Sequence, residues 1–126
     1  MSEVFLSFGS NYGDKKGNVE AALRWIGSLL DDMQSSDVYE TPEVHGYGAS
    51  YFNAVACGKI GLELEEFNRR LKVYERDCGR TEEARIRKEV PIDIDIVIWD
   101  GEIIRPVDFS REFFRIGYED IRKPRN

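Results

Sequence analysis

The feature that most restricts the fold is an alternation of isoleucine with other residues between Ile92 and Trp99. Isoleucine stands at every second position from 92 to 98, and Asp93 and Asp95 occupy two of the positions between. A period of two is that of a β-strand, because successive side chains point to opposite faces. We therefore predict a strand with one face in the core and both carboxylates on the other face, their Cα atoms roughly 6.5 to 7 Å apart.

Hydrophobic patterns upstream of this strand predict two helices and three more strands. Helical spacing of apolar residues predicts one helix from Asn18 to Leu30, capped by Asp14 or Asn18, and a second from Leu64 to Cys78, capped by Gly79. Short apolar or alternating runs predict the strands Val4–Phe8, Ser36–Thr41 and Tyr51–Ile60. The order β-α-β-β-α-β predicts an α+β split βαβ sandwich, in which two helices pack on one face of a four-stranded antiparallel sheet and the opposite face is free to build a site.

Length and charge limit the number of domains and the kinds of partner that we expect. A chain of 126 residues with 41% hydrophobic content predicts a single domain, 1–126, with a core of its own. The net charge of -6 argues against nucleic acid or an anionic membrane as the main partner, because both attract basic surfaces. No run approaches the ~20 apolar residues of a membrane span, and the first residues lack the pattern of a secretion signal. We expect a cytoplasmic protein in which Cys57 and Cys78 are reduced thiols.

The carboxylates of Asp93 and Asp95 suit a hard cation. Magnesium prefers oxygen ligands and keeps phosphate oxygens and water in its shell, so a carboxylate pair is a usual anchor for a nucleotide–metal complex. The alternative is the solvated polar face of an edge strand, which charged residues protect from unwanted pairing. The motif by itself leaves both interpretations open.

Three other polar segments are ambiguous on their own. Gly9-Ser10-Asn11 follows the first strand and fits either a backbone nest for an anion or a polar turn, the turn being the more usual structure. Arg85, Arg87 and Lys88 either reach phosphate groups or are solvated. His45 is interpreted as a loop residue without a role.

Taken together, the motifs resemble those of a known family. The segments that carry the likeness keep their order and spacing over about Val4 to Ile104: Phe8-Gly9-Ser10-Asn11-Tyr12-Gly13-Asp14, Tyr39-Glu40-Thr41-Pro42, Tyr51-Phe52-Asn53-Ala54-Val55, Glu75 with Gly79-Arg80, and Asp93-Ile94-Asp95-Ile96. They look like 6-hydroxymethyl-7,8-dihydropterin pyrophosphokinase. The resemblance implies a ferredoxin-like α+β fold and the step of folate biosynthesis in which the pterin hydroxymethyl oxygen attacks the β-phosphorus of ATP and AMP is released.

The resemblance also implies roles for individual residues. Asp93 and Asp95 would bind two magnesium ions that bridge the ATP phosphates, and Arg80 would complete the catalytic set at the start of a mobile loop. Three residues would lie against the nucleotide: Glu75, Ile96 and Arg111. Six would bind the pterin: Thr41, Pro42, Val44, Tyr51, Asn53 and Phe113. An asparagine offers a donor and an acceptor to a pterin edge and a tyrosine can line its flat face, whereas Phe113 is explained equally well as a core residue.

The chain also departs from the family pattern. Arg87 and Val90 stand where the loop before the aspartate pair usually carries a tryptophan that covers the pterin and an arginine that contacts ATP. The family's proline-histidine segment, which also contacts ATP, is missing after Arg105-Pro106. We therefore expect a single pyrophosphokinase-like domain that is shortened at its C-terminal end and finishes in a basic tail, Ile121–Arg125. The candidates to replace the lost contacts are basic residues: Arg85, Arg87, Lys88 and Arg105.

Two hypotheses for the function follow. In the first, the chain is a magnesium-dependent 2-amino-4-hydroxy-6-hydroxymethyldihydropteridine diphosphokinase whose partners are ATP and a dihydropterin alcohol. In the second, it is a non-catalytic or regulatory pterin-binding relative with a degenerate ATP site. A module that uses neither ligand is a weaker third, because nothing would then require Asn53 and the aspartate pair to face one site. In each case we expect a monomer or weak dimer.

Overall fold

A computed structural model of the chain describes residues 1–46 and 48–124. Tyr47, between the predicted strands Ser36–Thr41 and Tyr51–Ile60, and Arg125 of the predicted basic tail lie outside the described residues. The strands are β1 (Ser2–Ser10), β2 (Asp31–Ser35), β3 (Tyr39–Thr41), β4 (Tyr51–Ile60), β5 (Asp93–Trp99) and β6 (Glu102–Ile103). The helices are α1 (Lys15–Gly27), α2 (Leu64–Asp77), α3 (Glu82–Ile86), α4 (Pro106–Ser110) and α5 (Glu112–Arg122). Within the described residues, no helix is long and apolar enough to cross a bilayer.

The sheet is antiparallel and its central strand is β1, which pairs with β4 on one side and with β5 on the other. The order across the sheet is β2-β4-β1-β5-β6, and β3 pairs with the start of β4. The predicted α+β class and the antiparallel sheet are confirmed, but the sheet has more strands than the four expected. The expected strand Ser36–Thr41 is wrong in its bounds, because β3 begins only at Tyr39. Ser36 instead ends the pairing of β2 with β4, where its Oγ accepts the Val55 N–H at 3.0 Å.

The two predicted helices pack on one face of the sheet. The Asp14 carboxylate caps α1 by accepting the Gly17 N–H at 3.1 Å, and Gly79 ends α2 with a φ of 109°. The apolar layer between the helices and the sheet consists mainly of fully buried side chains: Val4, Leu6, Phe8, Val19, Ala22, Ile26, Ala54, Ala56, Phe67, Leu71, Ile92, Ile94 and Ile96. Burying one large side chain of this kind contributes about 1.5 to 3 kcal/mol, so this layer supplies most of the apolar driving force.

The opposite face of the sheet is not free along its whole length, which corrects the expectation from the sequence. Helix α5 packs there through its buried residues Phe114, Gly117 and Ile121. Phe114 and Ile121 form a second buried cluster with Val55 and Val97. Gly117 makes this approach possible, because a Cβ atom at that position would lie 2.6 Å from Cγ2 of Val55. The part of the face beyond the first turn of α5 stays open.

The alternation predicted for β5 holds for its first half and fails in its second. Phe5 of β1 pairs with Ile98 while Leu6 pairs with Ile96, so Val97 is an extra residue in the ladder. Such a bulge shifts the following side chains to the other face. Val97 and Ile98 therefore both belong to the α5 cluster, and Trp99 packs against the first core. Both aspartates precede the bulge.

Candidate active site

Four residues from four strands form a row on the open part of the face. The registers pair Tyr39 of β3 with Asn53 of β4, Asn53 with Gly9 of β1, and Gly9 with Asp93 of β5. Directly paired residues of an antiparallel ladder project to the same side. The sheet thus brings together residues that are far apart in the chain.

A cleft of about 340 Å³ lies over this row. All six of the side chains expected to bind the pterin line it: Thr41, Pro42, Val44, Tyr51, Asn53 and Phe113. Asp93 and Arg111 also line it, together with Gly9 on its floor. A Cβ atom at Gly9 would lie 3.4 Å from the ring of Tyr51, so the missing side chain keeps the floor flat beside that ring.

Asn53 is held firmly at the bottom of this cleft. The residue is 2% exposed, and its Nδ2 donates to Thr41 Oγ1 at 2.8 Å and to the carbonyl oxygens of Tyr39 and Tyr51, each at 3.3 Å. These bonds fix the plane of the amide, so that Oδ1 is directed towards Gly9; a Cβ atom there would lie 3.6 Å from it. The cleft therefore presents an oriented amide to a ligand.

The two aspartates lie side by side at the edge of the sheet, as the period of two predicts. The side chain of Asp95 is 16% exposed and that of Asp93 is 39% exposed. Burial, followed by the negative charge of Asp93 and a hydrogen bond with it, raises the pKa of Asp95 to about 6, although Lys72 and Arg105 act in the opposite direction. The pair is therefore a site of crowded negative charge, which a cation would relieve.

Arg80 lies against the first aspartate. Its Nη1 donates to Asp93 Oδ1 at 2.9 Å and to Glu75 Oε1 at 3.3 Å. The predicted catalytic set of Arg80, Asp93 and Asp95 is thus brought together by the structure. Its placement follows from Gly79, whose positive φ turns the chain from the end of α2 back towards β5.

Glu75 is buried under the same edge and is only 4% exposed. Its Oε2 accepts the backbone N–H of Ile94 at 2.7 Å and the ammonium of Lys72 at 3.0 Å. Lys72 Nζ also donates to Asp95 Oδ1 at 3.4 Å. Glu75 therefore links α2 to β5 and holds Lys72 beside Asp95 and Arg80 beside Asp93.

A second cleft, of about 360 Å³, lies on the other side of the pair. Asp95, Ile96, Lys72 and Arg105 are among its lining residues, and Arg105 Nη1 lies 4.0 Å from Asp95 Oδ1. The carboxylate pair consequently stands between two clefts, with Asp93 on the first and Asp95 on the second. Of the residues expected to contact ATP, Ile96 faces this second cleft, whereas Arg111 lines the first.

Sequence reasoning missed Lys72, although a signal was present. Lys72 and Glu75 are three residues apart on a predicted helix, a spacing at which side chains of opposite charge meet. What the spacing does not reveal is that this side of α2 faces β5, because that depends on how the helix crosses the sheet.

The segment before β5 is clamped to the first strand by Asn11. The backbone N–H of Asn11 donates to Val90 O at 2.9 Å, its Nδ2 donates to Lys88 O at 3.1 Å, and its Oδ1 accepts the Val90 N–H at 2.6 Å. These contacts favour the turn over the anion nest for Gly9-Ser10-Asn11. The clamp places Arg87 and Val90 on a third cleft, of about 620 Å³, which His45 also lines.

Comparisons with known proteins point to one family. The family profile of 7,8-dihydro-6-hydroxymethylpterin-pyrophosphokinase matches residues 5–123. A 2-amino-4-hydroxy-6-hydroxymethyldihydropteridine pyrophosphokinase of Porphyromonas gingivalis is 29% identical over 96% of this chain and 91% of its own length, and one of Aquifex aeolicus is 31% identical over 83% and 66%. The folic acid synthesis protein FOL1 of Dictyostelium discoideum is 30% identical over 94% of this chain, which spans only 19% of FOL1.

The profile match covers almost the whole chain and includes every segment on which the resemblance was based. The identification made from the motifs is therefore confirmed, and the comparisons do not favour a non-catalytic relative. This chain belongs to the 7,8-dihydro-6-hydroxymethylpterin-pyrophosphokinase family.

Proposed function

We propose that this protein transfers a diphosphate group from ATP to 6-hydroxymethyl-7,8-dihydropterin in folate biosynthesis, with magnesium as cofactor and AMP as the second product. The observation that carries the proposal is the row from Asn53 to Asp93, which puts an oriented amide and a carboxylate pair on one open face of the sheet. A flat heterocycle over the amide then has its substituent near the carboxylates, where the transfer must occur.

In this proposal the first cleft binds the pterin. The Asn53 amide and the Thr41 hydroxyl, themselves joined at 2.8 Å, supply hydrogen-bonding groups for the edge of the ring. Tyr51 and Phe113 supply aromatic surface for its faces, the contact that a planar π-system prefers. Pro42 and Val44 complete the apolar part of the lining. Small-molecule sites commonly combine an apolar lining with a few fixed polar groups of this kind.

Asp93 and Asp95 would hold the magnesium. Their oxygens are the hard donors that this ion prefers, and the raised pKa of Asp95 marks a negative charge that a cation would stabilise. Two carboxylates would fill only part of the coordination shell of an ion, and phosphate oxygens and water would fill the remaining positions. Two bound ions would neutralise phosphate charge and align the reacting groups.

The basic residues around the pair would receive the polyphosphate. Arg80 contacts Asp93, while Lys72 and Arg105 lie beside Asp95 and line the second cleft. Arg111 lines the first cleft. Phosphoryl transfer depends on positioning and on charge neutralisation more than on covalent chemistry by the protein. Glu75 would act as a positioning residue, since it is buried and holds Lys72 and Arg80. We extend the proposal to a cytoplasmic enzyme that works as a monomer or weak dimer.

The test is an AMP-release assay with ATP, magnesium and the dihydropterin alcohol. We expect turnover by the parent protein and a loss of at least about 100-fold in kcat for Asp93→Asn and Asp95→Asn, a size typical for removing one group that stabilises transition-state charge. Asp32→Asn is the matched control, because Asp32 is exposed and distant from the clefts. Tight pterin binding without any AMP release by the parent protein would refute the enzyme and favour a pterin-binding relative.

A further inference from the structure

The hydroxyl of Tyr39 joins the strand that carries the site to the helix on the same face. It donates to the carbonyl oxygen of Phe113 at 2.5 Å and accepts the backbone N–H of Gly117 at 3.0 Å. Both partners belong to α5, 74 and 78 residues away in the chain. One side chain thus binds two successive turns of the helix.

The surroundings of this hydroxyl leave it little freedom. A Cβ atom at Gly117 would lie 2.8 Å from the Tyr39 oxygen, so the close approach of helix and hydroxyl depends on glycine. Burial raises the pKa of Tyr39 to about 12, so the hydroxyl keeps its proton, and its capacity to donate, throughout the neutral range.

Tyr39 also contacts the polar floor of the pterin cleft. Its own carbonyl oxygen accepts from Asn53 Nδ2 at 3.3 Å, and it is paired with Asn53 in the sheet. Phe113, whose carbonyl it holds, lines the same cleft from the side of α5. Tyr39 is thus connected to a polar group on the floor and to an aromatic wall.

We propose that Tyr39 is a positioning residue for the pterin cleft, its hydroxyl setting the distance between the first turn of α5, with Phe113, and the strand that presents Asn53. This inference rests on the proposed function, because it assigns the width of the cleft to pterin binding. Its consequence is that the hydroxyl controls affinity for the pterin without touching it.

A purely structural role for the hydroxyl makes a different prediction. Two buried hydrogen bonds stabilise a fold by about 1 kcal/mol each, and their loss alone lowers stability without selecting between ligands. A positioning role lowers affinity for one ligand and acts through Phe113. Selectivity between ligands and dependence on Phe113 therefore separate the two.

The experiment compares Tyr39→Phe with Tyr118→Phe. Tyr118 lies on α5, and among the contacts described its hydroxyl accepts only a 3.3 Å hydrogen bond from Arg122. Tyr118→Phe therefore deletes the same atom at a position away from the cleft. For Tyr39→Phe we expect KM for the dihydropterin alcohol and Kd for 6-hydroxymethylpterin to rise about tenfold, the equivalent of one lost hydrogen bond, with KM for ATP changed less than twofold. Tyr118→Phe should match the parent protein.

A double-mutant cycle with Phe113→Leu tests the path of the effect. If Tyr39 acts through Phe113, the double variant binds the pterin no more weakly than Phe113→Leu alone. Additive losses, equal losses for pterin and ATP, or unchanged pterin affinity in Tyr39→Phe would each overturn the proposal.

Failure of the proposed function is recognised separately. If the parent protein itself binds no pterin, that function is wrong, and hydrogen exchange of the α5 amides then decides the role of the hydroxyl. Exchange at residues 113–117 that is faster in Tyr39→Phe than in Tyr118→Phe supports positioning of the first turn by Tyr39. Equal exchange in the two variants overturns it.

Discussion

On one face of the sheet, α1 and α2 bury a continuous apolar layer, whereas on the other face α5 covers part of the strands and leaves Asn53 and Asp93 next to open clefts. The strands are the same, so the difference arises from the residues that stand at the alternate positions. Apolar residues such as Leu6, Ala54 and Ile94 face the two helices, while polar residues and glycine face the cleft. The closed face therefore provides stability, whereas the partly open face keeps charged groups whose charges are not fully compensated.

The largest expected effect is a loss of stability at the closed face, which α1 and α2 cover. Phe67 is fully buried between α2 and the sheet, so Phe67→Ala removes its burial and leaves a cavity. We expect the free energy of unfolding to fall by about 3 to 5 kcal/mol, measured by urea denaturation. Exposed Ile86→Ala, on α3, is the control, and a loss as large there would contradict the division between the two faces.

The second prediction has the opposite sign and concerns the open face. The pKa of Asp95 in the folded protein is about 6, above its ordinary value of 3.8, so the stability linked to its protonated form is present below pH 4 and is lost as the pH rises through 6. In the absence of magnesium, Asp95→Asn should therefore be more stable than the parent protein at pH 8, by about 1 to 3 kcal/mol, and no more stable at pH 3.5.

Thermal unfolding with a chelator present, at both pH values, measures this difference. Added magnesium should then stabilise the parent protein but not Asp95→Asn, because a ligand stabilises only the state that binds it. An Asp95→Asn protein that is less stable than the parent at pH 8 would show that the carboxylate is structurally favourable.

The third prediction tests the part of the open face that α5 covers. Gly117→Ala places a Cβ atom within 2.6 Å of Val55 Cγ2 and should lower the free energy of unfolding by about 1 to 3 kcal/mol, because the helix must move outwards. Combining it with Val55→Ala should cost less than the sum of the two single changes, as measured by denaturation of all three variants. Strict additivity would contradict the close contact.

The smallest expected effect concerns Lys72, which contacts Glu75 and Asp95. Lys72→Met removes a positive charge from beside Glu75, Asp93 and Asp95 and should therefore lower the free energy of unfolding at pH 8. The loss should be only about 1 kcal/mol, since solvent screens part of the interaction. The loss should shrink at 1 M salt. Arg69→Met, on the exposed side of α2, is the control and should change the free energy of unfolding little. An equal loss in Arg69→Met would show that Lys72 has no special interaction with the three carboxylates.

The candidate site was accessible from the sequence to the extent that it depends on local pattern. The alternation at 92–96 places both aspartates on one face, and the motifs around Thr41 and Asn53 identify the family without coordinates. These inferences succeed because the period of a strand is a property of the backbone. Local pattern does not predict the contacts of Lys72 and Tyr39, because their partners on β5 and α5 depend on how the helices cross the sheet.

Local sequence patterns were enough to predict α1, α2 and the long strands β1, β4 and β5, the shared face of Asp93 and Asp95, and the family. Three features became visible only in the folded protein: α5 closes part of the second face, the bulge at Val97 moves Ile98 to that face, and Tyr39 joins a strand to a helix. Periodicity reflects interactions between neighbours in the chain, whereas these contacts join distant residues and depend on which surfaces fit together once the chain has folded.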